Sequence, residues 1–176
     1  MVNYIRPTRQ QEINAYSNMA NRIKNNKSYA NCIIGKTWLR DHSKFYEWYR
    51  SNYYELPDGE KINIDKDIQV PDNRIYSEDT CLLVPESVNS FFVGIRGKRD
   101  TDLPVGVSLN KKTEKYIAGI SYNGATKRLG TYDTPAQAHE AWRKVKIEQL
   151  DALIEKYNDI VPSEVTEAMA QWRDII

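Results

Sequence analysis

Asn123-Gly124, set between two runs of alternating character, constrains this chain more than any other feature. Tyr116, Ala118 and Ile120 alternate with Ile117, Gly119 and Ser121, the period of a strand with one buried face. Asn-Gly suits a two-residue hairpin because both central positions of that turn want positive φ. The spacing therefore predicts a third strand over Thr126 to Gly130. Val105, Val107 and Leu109 alternate with Gly106, Ser108 and Asn110 and give the first strand. Thr134, Pro135 and Gln137 then read as cap, first helical residue and capping box. Ala138, Ala141, Val145, Leu150 and Leu153 continue the helix to about Tyr157. A three-stranded antiparallel sheet packed on a helix follows for 105–157. Val107, Leu109, Tyr116, Ala118, Ile120 and Leu129 are expected to face the helix. Ser108, Asn110, Lys112, Lys115, Ser121 and Arg128 are expected on the opposite face, with Lys127 at its edge. His139, near the helix start, reads as a packing or capping residue.

The first half mixes helices with short strands, so the fold class is α+β. Thr8 with Gln11 is a capping box for a helix over about 9–24, with Ile13, Tyr16, Ala20 and Ile23 at helical spacing. A second helix begins near Ser43, with Phe45, Trp48 and Tyr49 inward, and stops near Leu56-Pro57-Asp58-Gly59. Extended pieces follow at Lys61 to Ile64, Ile68 to Val70 and Leu82 to Val84, and Pro85 suits the first position of a helix to about Phe92. The glycine-rich, charged stretch 96–104 reads as a linker. It separates a domain over 1–95 from one over 105–157. Residues 158–176 read as a helical tail using Val165, Met169 and Trp172.

Charge is segregated along the chain. Residues 96–146 hold 11 Lys/Arg against 5 Asp/Glu, residues 147–176 hold 2 against 7, and residues 1–95 balance at 12 of each. The middle block is where an anionic partner is expected, with a merely solvated surface as the alternative. No apolar run reaches the roughly 20 residues of a membrane span, and Met1 to Arg9 lacks a signal-type stretch, so the expected location is the cytoplasm. Cys32 and Cys81 fit a reducing compartment.

The runs Gly106-Val107, Tyr116-Ile117-Ala118-Gly119-Ile120 and Arg128-Leu129-Gly130-Thr131-Tyr132-Asp133-Thr134-Pro135-Ala136-Gln137-Ala138-His139-Glu140-Ala141 resemble the APETALA/ethylene-response-factor DNA-binding domain. The resemblance implies that the outer sheet face enters the major groove of double-stranded DNA. By position, Ser108, Asn110, Gly119, Ser121 and Arg128 fall where that family tends to place its readers. The family favours Arg, Trp and Glu there, whereas Ser, Asn and Gly occupy most of these places here. Arg128 is then the best candidate for bidentate reading of guanine. Lys111, Lys112, Lys115 and Lys127 suit phosphate contacts, which give affinity with little sequence choice.

The stretch Ile64-Asp65-Lys66-Asp67, Asn73 to Pro85, and Val88-Asn89 resembles the degenerate HNH-type nuclease domains of bacteriophages, as does the aromatic stretch Trp38 to Tyr53. With the order of the two halves, this makes the chain similar to phage HNH or homing-endonuclease-like proteins. The resemblance implies a ββα frame, a His acting as general base on water, and one divalent metal at the scissile phosphate. Asp65 matches the acidic residue before that His. Lys66 occupies the place of the His itself, and an ordinary lysine is protonated at neutral pH. Asn89 matches the metal ligand of the helix, and Asp67 offers a second carboxylate.

Two readings stay open for this half. In one, Asp65, Asp67 and Asn89 hold Mg²⁺, His42 serves as base, and the chain is a DNA endonuclease. In the other, Asp65 and Asp67 cap turns, Asn73 holds a tight turn, and the chain binds DNA without cutting, as a regulator or an anti-host-defence factor. A third possibility is a protein partner docked on Trp38, Phe45, Tyr46, Trp48 and Tyr49, which otherwise read as core. Cys32, His42 and Cys81 lack the paired spacing of a zinc site, so buried free thiols are expected.

Overall fold

A computed structural model describes residues 1–96, 102–122 and 125–176. The chain is α+β and divides into two compact units, Met1–Val93 with Tyr157–Met169, and Gly94–Lys156 with Ala170–Ile176. Of the expected linker, residues 97–101 lie outside the described residues, as do Asn123 and Gly124 at the hairpin tip. No helix among the described residues is long and apolar enough to cross a membrane.

The first unit begins with β1 (Asn3–Tyr4) and α1 (Arg9–Asn25), whose N-terminus carries the Thr8–Gln11 capping box. Next come β2 (Ile33–Ile34), α2 (Lys36–Arg40), α3 (His42–Asn52) and β3 (Tyr54–Glu55). Aromatic rings fill the space between these helices: Phe45 stacks on Tyr49 and meets Trp38 edge-on. Trp38, Phe45 and Tyr49 are buried, while Tyr46 and Trp48 are half-buried. Glu12 is buried where α1 meets α3, paired with Arg9 at 2.7 Å and Arg50 at 2.6 Å. Those two guanidiniums supply the countercharge that a buried carboxylate needs.

The unit continues with β4 (Ile62–Asp65), β5 (Ile75–Tyr76), β6 (Leu82–Pro85) and α4 (Glu86–Arg96). β4 pairs antiparallel with β6, β1 antiparallel with β3, and β2 parallel with β5. Two expectations are corrected here. Ile68 to Val70 is not a strand; the chain bends there and buries the Ile68 side chain completely. The cause is Asp65, whose carboxylate accepts from the N–H groups of Asp67 and Ile68, both at 2.7 Å, and turns the chain out of β4. Pro85 closes β6 rather than opening the helix, because the Glu86 N–H still donates to the Lys61 carbonyl at 2.9 Å.

In the second unit, β7 (Val107–Asn110), β8 (Lys115–Tyr122) and β9 (Ala125–Tyr132) form one antiparallel three-stranded sheet in the order β7-β8-β9. α5 (Pro135–Tyr157) follows, opened by the reciprocal Thr134–Gln137 bonds of a capping box. α6 (Ser163–Gln171) belongs to the first unit through Met169, and it buries Val165 and Met169. Ala118 and Ile120 of the sheet, and Ala138 and Trp142 of α5, are buried. His139 takes the packing role expected of it: its Nδ1 lies 2.9 Å from the Val105 carbonyl, and its ring stacks on Trp142. Leu109 departs from expectation: it pairs with Tyr116 on the helix side but is 45% exposed, too near the end of β7 for α5 to cover it.

Gly106 is held at φ +76°, and any Cβ placed there would run into the Trp142 ring. Both facts demand glycine. Gly106→Ala is expected to lower the unfolding free energy by about 2–4 kcal/mol, read as a drop in the urea midpoint. A loss below about 1 kcal/mol would mean that Trp142 moves aside freely.

Candidate nucleic-acid interface

Pairing fixes which side chains share the face away from α5. Val107 pairs with Ala118 and Leu109 with Tyr116, so these lie on the helix side. Ser108 pairs with Ile117 and Asn110 with Lys115, on the other face. Across the second ladder, Ile117 pairs with Thr131, Gly119 with Arg128 and Ser121 with Thr126. The outer face thus gathers Ser108, Lys115, Ser121, Thr126, Arg128 and Thr131, all exposed, around half-buried Ile117. The three strands span about 10 Å, against a major groove about 12 Å wide.

A register shift falls at Ala118/Gly119, where Leu129 is the extra residue of β9. It places Thr131 on the outer face, where unbroken alternation from Arg128 would have turned it to the helix side. Lys127 pairs with buried Ile120, on the helix side of the ladder, although it is exposed at the rim. Lys111 and Lys112 sit exposed in the turn between β7 and β8 rather than on a strand face. Asn110 shapes that turn by accepting from the Lys112 N–H at 3.0 Å, which occupies its side-chain oxygen. The Lys115 ammonium pairs with Asp133 at 2.9 Å, and both are well exposed, so water and salt screen the pair. Arg128 donates to the Thr131 hydroxyl, which holds its guanidinium over the outer face. Ile117 and Thr131 were not singled out from sequence. Ile117 alternates with Tyr116 and Ala118, so its place on the outer face was legible in the sequence, whereas that of Thr131 depends on the extra residue at Leu129.

The residues expected to form a nuclease site are placed differently. Asp65 is buried at the end of β4 and spends one oxygen on the two N–H groups already described. Lys66 is buried beside it; its ammonium pairs with Asp67 and donates to the Asn73 carbonyl at 2.7 Å. Asn73 closes the loop by donating to the carbonyls of Lys66 and Ile75 at 2.8 and 2.7 Å. Asn89 is half-buried on α4. His42 is exposed at the start of α3, its ring 4.2 Å from that of Tyr16. No group of three or more His, Cys, Asp or Glu side chains converges as a metal site among the described residues. A second cation at Asp65 and Asp67 would face the Lys66 ammonium at short range, so these residues do not fit Mg²⁺ as they stand. Cys32 and Cys81 are buried free thiols, and burial pushes the Cys81 thiol up to about 12.

The chain matches no known protein family, no curated protein and no solved structure.

Lys66→Ala would leave Asp67 and the Asn73 carbonyl without the ammonium. A loss of about 3 kcal/mol in unfolding free energy is expected, measured by urea denaturation. A variant as stable as the parent would mean that the ammonium does not hold this loop.

Proposed function

We propose that the protein binds duplex DNA by laying the outer face of the β7-β8-β9 sheet in the major groove. One observation carries the reading. Arg128 lies on a solvent-open sheet face, opposite Gly119 and beside Ser121, Ile117 and Thr131, while α5 covers the other face. A guanidinium so held suits the paired acceptors of a guanine edge, and Ile117 suits a thymine methyl. Lys111, Lys112 and Lys115 ring one end of the sheet and suit phosphates. Serines, glycine and one arginine make a face of low selectivity, so affinity rests mostly on phosphate contacts.

Cleavage is a second reading, favoured by the order of β4, β6 and α4, which is the strand-strand-helix order that the resemblance to HNH nucleases implies. The chemistry at the end of β4 weighs against it. A buried ammonium stands where a base is needed, and its partner is the second carboxylate. Binding without cutting is therefore the reading we adopt.

Duplex affinity should fall steeply with salt. Arg128→Ala should cost about 1–3 kcal/mol and relax sequence preference, whereas Lys112→Ala should weaken all sequences alike and reduce the salt slope by about 1. If the double variant binds as the parent does, the sheet face is not the reader. On supercoiled plasmid with Mg²⁺ or Mn²⁺, the parent should nick no more than Asp65→Ala does. Nicking that Asp65→Ala abolishes would restore the nuclease reading.

A further inference from the structure

The two-stranded β4–β6 sheet has two outer edges with different surroundings. On the β6 side, the Leu83 carbonyl points away from β4 and accepts from the buried Tyr54 hydroxyl at 2.9 Å. On the β4 side, the order β4-β6 leaves no further strand among the described residues. The Glu86 N–H bonds the Lys61 carbonyl, so Lys61 starts the ladder facing β6. Antiparallel alternation then turns the N–H and C=O groups of Ile62 and Ile64 outward, away from β6.

Those outward groups border a cavity of about 360 Å³ whose opposite wall is α1. The wall of α1 carries Asn14, Asn18 and Arg22, each four residues from the next on one face. Met19, Tyr49 and Tyr76 contribute apolar surface, and all three are buried. Lys61 and Asn63 complete the β4 side, and among the described residues no carboxylate lines the cavity.

We infer that this groove takes an extended, acidic peptide segment of another protein, which adds a strand to β4. An extended chain projects N–H and C=O groups to both sides. One side matches the outward groups of Ile62 and Ile64, the pairing by which peptides join open sheet edges. The other side meets carboxamides, which both donate and accept and so match a peptide group. Asn14 gives its oxygen to Gln10 at 2.8 Å and keeps its amino group for the groove. Asn14 and Asn18, four residues apart, are separated by about 6 Å along the helix, near the roughly 6.7 Å repeat of same-side groups in a strand. Arg22 and Lys61, with no carboxylate between them, favour acidic side chains on the peptide. The groove lies wholly in the first unit, so the inference is independent of DNA binding by the sheet.

The test uses the full chain and a fluorescent hexapeptide of alternating valine and glutamate. Its controls are the same peptide with lysine for glutamate and two forms N-methylated at alternate residues. The glutamate peptide should bind at least tenfold more tightly than the lysine peptide, and one N-methylated form should lose at least tenfold. Arg22→Glu with Lys61→Glu should reverse the charge preference. On binding, the Ile62 and Ile64 amides should become protected from hydrogen exchange. The proposal is overturned if both N-methylated forms bind like the parent peptide, or if those two amides stay unprotected. It is overturned equally if inorganic phosphate or a mononucleotide displaces the peptide at equal concentration, which would make the groove a small-anion site. Because the N-methyl groups sit on the peptide, the test holds even if a protein variant fails to fold.

Discussion

The contact between Trp142 and Gly106 decides what the second unit can do. The indole lies where any other residue at 106 would project its side chain, so α5 comes close to the entry of β7. His139 reinforces the contact through the Val105 carbonyl and by stacking on the same indole. With α5 fixed there, Ala118 and Ile120 are buried beneath it. Their neighbours Ile117, Gly119 and Ser121 must then point the other way. The open face, with Arg128 on it, is a consequence of where the helix lies.

The first unit is organised around a turn. Asp65 bends the chain out of β4, Lys66 ties the bend to Asp67 and Asn73, and Asn73 ties it back to Lys66 and Ile75. Each polar group in this knot is matched, as buried polar groups must be. A lysine suits that task because its ammonium has three donors and a long stem. The same features make it a poor stand-in for an imidazole base. The resemblance to nucleases and the local chemistry therefore point in different directions, and the local chemistry bears more directly on activity.

Much of this was legible in the sequence. Thr8–Gln11 and Thr134–Gln137 marked their helix starts because capping is local chemistry, complete within four residues. The sheet was legible because period-two alternation is local too. What was not legible depends on distant partners. β1 and β3, or β2 and β5, are two-residue strands that exist only through each other. Ile68 to Val70 looked extended, and only the Asp65 carboxylate made it a bend. The extra residue at Leu129 put Thr131 on the outer face beside Arg128, and alternation alone cannot register an extra residue. At the candidate nuclease site, residue types could be read from sequence, but the pairing of Lys66 with Asp67 could not.

The central claim is that DNA meets the sheet face opposite α5. The most direct measurement is a nuclear-magnetic-resonance titration of the labelled full chain with a short duplex. The account predicts that amide shifts concentrate at Ser108, Ile117, Ser121, Arg128 and Thr131 and in the turn holding Lys111 and Lys112, with the exposed face of α5 unchanged. Shifts confined to α5, or to the first unit alone, would contradict it.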